Sequence, residues 1–108
     1  MKRRSPEPVL LGSLEEQVML AVVRTGVDAY GMNVRRELES VTGREITIGS
    51  VYATLDRLES KALVASERSA AMDAVSRRIF AVTLLGVKSL EHTREMRDRL
   101  WMGVKLRV

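Results

Sequence analysis

Residues 47–64 read TIGSVYATLDRLESKALV, and the spacing of their apolar side chains decides how the rest of the chain is organised. On a helix of 3.6 residues per turn, Ile48, Val51, Leu55, Leu58 and Ala62 fall on one narrow face, the single buried stripe of an amphipathic helix. Gly49, Ser50, Ala53, Asp56, Arg57 and Ser60 fall on the other side. Thr47 stands before the stripe as N-cap, where a hydroxyl accepts from a free backbone N–H of the first turn. The outward face near that end is small, so the backbone can approach another surface closely. The free N–H groups and the helix dipole favour a phosphate there. Ser50 and Thr54 can donate to phosphate or base edges, and Arg57 is long enough to reach either. Tyr52 lies at the flank, with its ring packing and its hydroxyl directed outward. An ordinary core helix with a polar outer face shares this periodicity. Charge does not separate the two readings, because Arg57 and Lys61 balance Asp56 and Glu59.

Upstream, residues 13–16 (SLEE) fit a capping box, with Ser13 at the N-cap and Glu16 at N3. The first helix then runs to about Arg24. Leu14, Val18, Ala21 and Val22 form its stripe, and Met19 and Val23 widen it. A helix apolar over so much of its circumference is deeply buried or shared with a second subunit. Gly26 closes it as a left-handed cap. A second helix over 32–41 turns Val34, Leu38 and Val41 inward and Arg35 and Arg36 outward. Glu37 and Glu39 stand beside those arginines, so a solvated charged face competes with phosphate contact. Residues 45–47 form a short strand. Two helices, a short connection and a third amphipathic helix make a helix-turn-helix.

Downstream, residues 63–68 and 77–82 form the two strands of a hairpin, the wing. Its tip, residues 69–76 (SAAMDAVS), contains no Asn-Gly or Asp-Gly pair and is expected to be long. Arg68, Arg77 and Arg78 cluster near this hairpin. Beside a recognition helix they read as contacts to phosphate or the minor groove. Charge protecting an exposed strand edge is the alternative account. Thr83 then caps a last helix reaching about Val104. Leu90, Thr93, Arg97, Leu100 and Val104 follow three-four spacing, flanked by Val87, Met96 and Trp101. That pattern is a seam for another helix, and so short a chain has nothing else to cover it. A homodimer follows, with Leu14, Val18, Leu90, Met96, Leu100, Trp101 and Val104 at the interface. As the only tryptophan, Trp101 reads as an interface anchor.

Composition bounds the function. One domain is expected from 108 residues. With no cysteine, disulfides, thiolate metal sites and thiol chemistry are excluded. The single histidine, His92, sits in a charged helical stretch and reads as a surface residue. Scattered glycines, no G-x-S-x-G and no ligand cluster argue against an enzyme, a metal or a bound cofactor. A net charge of +4 is weakly compatible with nucleic acid. Residues 1–9 form a basic arm with Lys2, Arg3, Arg4 and both prolines, without the apolar region of a signal peptide. No apolar run approaches a membrane span, so a cytoplasmic protein is expected.

The string GSVYATLDRLESKALV (49–64) resembles the recognition-helix signature of PadR-type transcriptional regulators. In that signature a small residue, an aliphatic and a Tyr lead into a leucine-rich helix with a Gly- or Ala-Leu-Val/Ile exit. The resemblance extends to 10–30 and 77–86. Thr83-Leu84-Leu85-Gly86 is similar to the family's Leu-Thr-x-x-Gly start of the last helix. Tyr30-Gly31 resembles its His-Gly-Tyr approach to the second helix, although Asp28-Ala29-Tyr30 lacks the histidine. The resemblance implies a mainly helical α+β fold, a winged helix-turn-helix with an added C-terminal dimerisation helix. It divides the chain into the arm (1–9), a DNA-binding domain (10–83) and the dimerisation helix (84–108). The implied function is a dimeric repressor that binds a pseudo-palindromic double-stranded operator and is released by a small effector. Thr47, Ser50, Tyr52, Thr54, Arg57, Arg35, Arg68, Arg77 and Arg78 are the expected DNA-binding residues. In some relatives a Trp of the last helix lines an aromatic-ligand cavity between subunits, and Trp101 lies about one turn later. A winged helix that binds protein rather than specific DNA is the alternative, and the neutral recognition helix leaves it open.

Overall fold

The structure, a computed structural model, describes residues 7–69 and 77–107. The basic residues of the arm and the wing tip at 70–76 lie outside that range. Four helices and one two-stranded antiparallel sheet follow in chain order among the described residues. These are α1 (Ser13–Thr25), α2 (Gly31–Thr42), α3 (Ile48–Ser60), β1 (Val64–Arg68), β2 (Arg78–Val82) and α4 (Leu84–Trp101), with a 3-10 turn at Gly26–Asp28. The expected winged helix-turn-helix is the observed fold.

The core lies where the stripes of the first three helices meet the base of the wing. Val18, Met19 and Val22 of α1, Val34 and Leu38 of α2, and Val51, Leu55 and Leu58 of α3 converge there with Leu63, Val64 and Phe80. Leu55 and Leu58 are fully buried, and each such side chain contributes about 1.5–3 kcal/mol by leaving water. The strands pair with Val64 opposite Val82, Ser66 opposite Phe80 and Arg68 opposite Arg78. That register turns Phe80 into the core. Gly86 lets α4 start against this base, because a Cβ there would overlap the Leu63 carbonyl oxygen.

Several expected boundaries shift for local reasons. Ser13 is the first residue of α1 and Gly12 is its N-cap. The Glu15 carboxylate accepts from the Gly12 N–H at 3.1 Å, and Glu16 is freed to pair with Arg97 of α4 at 2.6 Å. Gly26 has a positive φ of 72° but ψ of −131°, so it opens the 3-10 turn instead of forming a left-handed cap. The true left-handed glycine cap is Gly43, after α2. Val23 and Val41 are exposed, because each falls off its helix's buried arc. No strand forms at 45–47. There the Ile46 N–H bonds to the Glu39 carboxylate at 3.0 Å and its carbonyl accepts from Arg35 Nε at 2.8 Å, so side chains satisfy the backbone that a partner strand would have paired.

The buried stripe of α3 also ends before Ala62. The helix stops at Ser60, and exposed Ala62 takes a left-handed φ of 60°. Its N–H reaches Glu59 O at 2.9 Å, and that of Leu63 reaches Leu58 O at 2.9 Å. This paired closure is a Schellman motif, and it delivers Leu63, not Ala62, into the core.

Along α4 the attachment to the rest of the protomer runs from Thr83 to Arg97, with Leu85 and Leu90 packed against the core and polar bonds beside them. Thr83 caps it, accepting from the Gly86 N–H at 3.0 Å, and donates to the Ala62 carbonyl at 2.7 Å. Buried Ser89 and Thr93 accept the backbone N–H groups of Val9 and Leu11, each at 3.1 Å. Residues 7–11 thereby strap across α4. Beyond the Arg97–Glu16 pair the helix projects, with Leu100 70% and Trp101 60% exposed.

Candidate nucleic-acid interface

The outer face of α3 is built by its cap. Thr47 Oγ1 accepts from the Ser50 N–H at 3.1 Å and donates to Ser50 Oγ at 2.9 Å. Both hydroxyls sit at the exposed N-terminus of the helix, next to exposed Gly49 and Ala53. Arg57 lies two turns further on, exposed, with Nη2 3.2 Å from Thr54 Oγ1.

Two of the expected DNA contacts on α2 and α3 are claimed by the fold. Thr54 is 1% exposed, and its hydroxyl donates to the Ser50 carbonyl at 2.8 Å while accepting from Arg57. It orients Arg57 and presents no surface of its own. Arg35 braces the α2–α3 connection through the Ile46 carbonyl and lies 3.6 Å from Glu39.

Between α2, α3 and the wing lies a concavity of about 350 Å³ lined by Tyr30, Met32, Arg36, Tyr52, Arg68, Arg77 and Arg78. Tyr52 comes from α3, and its ring packs where Gly31 leaves room, because a Cβ there would overlap the ring. Arg77 lays its guanidinium 4.4 Å over the Tyr30 ring, a cation–π contact that leaves the guanidinium edge available. Among the described residues no carboxylate lines the hollow. It supplies the positive charge that α3 lacks. Tyr30 was not foreseen on its lining, nor Gly31 as the gap for the Tyr52 ring, since the hollow is assembled from four separated segments; Arg36 was expected outward, toward solvent or phosphate. An aromatic followed by glycine at a helix start was the available signal for a tightly packed ring.

Arg78 behaves differently from its neighbour. Its guanidinium bonds Asp56 at 3.1 Å and Glu59 at 2.6 Å, and lies 4.8 Å from the Phe80 ring centroid. Burial works against its charge, but the two carboxylates outweigh that and hold it more firmly protonated than usual. Glu59 is held below the ordinary glutamate range, first by the Ser66 hydroxyl and then, against some burial, by Arg78. The same C-terminal end of α3 is also tied to α1, where Lys61 meets Glu15 at 2.8 Å. That hydrogen bond lowers the Glu15 pKa, opposed by burial and aided by the Gly12 N–H.

The residues expected at a dimer interface separate into two groups. Val18 is fully buried within the protomer and has no surface to offer a partner. Leu14 and Leu90 pack partly against the core, and Met96 is half-buried. Leu100, Trp101 and Val104 are exposed.

The comparison with known proteins finds the same fold. The description "Transcriptional regulator PadR-like family" matches residues 19–92. The chain belongs to the PadR-like family. Among solved structures it is similar to a PadR-like transcription factor from Bacteroides fragilis, with a TM-score of 0.71, 22% identity, and 81% of this chain and 82% of that one covered. A PadR-like transcriptional regulator from Bacillus cereus superposes with a TM-score of 0.68 at 19% identity, over 82% and 84% of the two chains. RosR of H. salinarum gives 0.66 at 25% identity, over 88% and 81%. No curated protein matches. PadR-like proteins are DNA-binding transcriptional regulators, not enzymes. Among the described residues no acidic, histidine or cysteine group could hold a metal, and no helix is long and apolar enough to cross a membrane.

Proposed function

We propose that this PadR-like protein is a dimeric, sequence-specific repressor that reads a pseudo-palindromic double-stranded operator. The observation that carries the reading is the basic hollow beside the small outer face of α3, on whose lining Arg36 and Arg77 stand with Arg68 and Tyr52. In this reading α3 enters the major groove by its N-terminal end, where Gly49 and Ala53 permit close approach. Thr47 and Ser50 hydroxyls and the Arg57 guanidinium meet phosphates and base edges. Tyr52, Arg68 and Arg77 grip the flanking phosphates. Repression follows from occupancy, because a seated dimer blocks other proteins from the same DNA.

The dimer is supported by shape and by exposed apolar area. A chain of this length packed as one compact body has a radius of gyration of about 13 Å, whereas this one measures 15.9 Å. The excess comes with a projecting α4 that carries exposed Leu100, Trp101 and Val104. We assign Leu14, Leu90 and Met96 to the margin of the same interface. The arm (1–9), the DNA-binding domain (10–83) and the dimerisation helix (84–108) are the corresponding functional units, acting in the cytoplasm where the DNA is. A planar aromatic effector would seat at Trp101 between protomers and alter the spacing of the two α3 helices.

The test is selection of DNA from a random library, followed by gel shift against competitor at low and high salt. A competitor-resistant shift on an inverted repeat, weakening steeply with salt, supports the reading. Failure to select any motif, with capture of a protein partner through the α3 face, would replace it with a protein-interaction module.

A further inference from the structure

We infer that Arg78 is a positioning residue, which sets the angle between the wing and α3 and neutralises no DNA phosphate itself. The inference rests on the reading that α3 and the wing engage DNA together. Arg78 opens β2, and its guanidinium crosses to the outer face of α3. Nη1 donates to Asp56 Oδ1 at 3.1 Å, and Nη2 donates to Glu59 Oε1 at 2.6 Å. From the other strand, Ser66 of β1 donates to Glu59 Oε2 at 2.6 Å. Both strands of the wing therefore hold the same carboxylate of α3.

Three observations separate a brace from a phosphate contact. One positive charge faces two negative ones, so a phosphate brought to this cluster meets Asp56 and Glu59 as well as Arg78. The guanidinium also lies against Phe80, which is buried in the core, so it is registered to the hydrophobic interior. Arg77, one residue earlier, lines the same hollow but is exposed and stacks on Tyr30, whereas Arg78 is held by Asp56 and Glu59. Arg77 precedes β2 and Arg78 opens it, and the two guanidiniums take different partners, an aromatic ring and a pair of carboxylates. A planar fork that bonds two carboxylates at once is also a geometry that Lys cannot reproduce.

The experiment uses the full chain with R78A, R78K, R77A and the double variant D56N/E59Q. Amide exchange of the free protein reads the brace without DNA. In R78A and R78K, residues 64–68 and 78–82 are expected to exchange on the order of tenfold faster, with α1 and α2 unchanged. On the selected operator, R78A and R78K weaken specific binding by roughly tenfold and leave the log–log salt slope as in the wild type. R77A instead reduces that slope by about 0.9, the value of one phosphate contact. The double variant is the sharpest arm. Removing two negative charges beside DNA tightens binding if Arg78 is a phosphate contact, and weakens it if Arg78 is a brace. Unchanged exchange in R78A overturns the inference whether or not the wild type selects a DNA motif. A reduced salt slope in R78A, or tighter binding by D56N/E59Q, overturns it as well. A wild type that selects no motif defeats the DNA reading separately, while the exchange result still decides the brace.

Discussion

α3 and the distal half of α4 are both amphipathic helical stretches, yet they meet opposite fates. Val51, Leu55 and Leu58 of α3 are completely buried, whereas Leu100 and Trp101 of α4 are 70% and 60% exposed. The first stripe is opposed by α1, α2 and the wing base within the protomer. For the second, no described element of the same chain lies opposite. Periodicity reports that a face wants cover, and only the rest of the fold decides whether the protomer provides it. The two stretches should therefore respond differently to the same chemical insult.

The largest expected difference is in truncation of a leucine. Leu55→Ala should cost about 2–5 kcal/mol of protomer stability, read as a lower urea midpoint with an unchanged slope. Leu100→Ala should move that midpoint by less than about 0.5 kcal/mol under conditions where the protomer is monomeric. Equal effects would erase the contrast. Next is Trp101→Ala, expected to weaken self-association by about 2 kcal/mol if Trp101 anchors the dimer. Sedimentation equilibrium should give a mass near twice 12.1 kDa for the wild type and a concentration-dependent decline for the variant. Because Trp101 is the only tryptophan, its emission should shift to the blue as protomers associate. A clean wild-type monomer at micromolar concentration removes the proposed cover of distal α4.

A smaller effect sharpens the α3 side. Ala62 adopts a left-handed φ of 60°, a conformation that costs a residue with a Cβ about 1–2 kcal/mol. Ala62→Gly should stabilise the protomer by about 1 kcal/mol in the same urea experiment, and a loss of stability would contradict the Schellman closure. The smallest effect is that of acid. Glu15 and Glu59 have folded pKa values below the ordinary one. Their contribution is fully present above the usual glutamate range, roughly pH 4, and is lost as pH falls through the lowered values. Thermal melts should therefore decline between about pH 5 and 3, and E15Q/E59Q should flatten that decline.

What was legible in the sequence was what local rules determine. The stripe of Val51, Leu55 and Leu58, the caps at Thr47 and Thr83, and the wing strands all follow from spacing and residue type. The hollow was only partly legible, because Tyr30, Arg36, Tyr52, Arg68 and Arg77 are brought together by tertiary packing. Arg78 illustrates the limit best. In the sequence it is indistinguishable from Arg77, and only the approach of Asp56 and Glu59 from another element separates them. Thr54 was misread for a related reason. A threonine on the edge of an apolar stripe turns inward when its hydroxyl can bond the carbonyl four residues back.

The strap of residues 7–11 has a consequence for the order in which the molecule is made. Its bonds to Ser89 and Thr93 join positions 80 and 82 residues apart. As the chain leaves the ribosome, the helix-turn-helix and wing can assemble before α4 exists, but the strap has nothing to dock on until that helix has emerged. Closure of these long loops is the step with the greatest sequence separation, and so belongs at the end of folding. The helix-turn-helix and wing are then expected to be complete first, and α4 to be locked into position last.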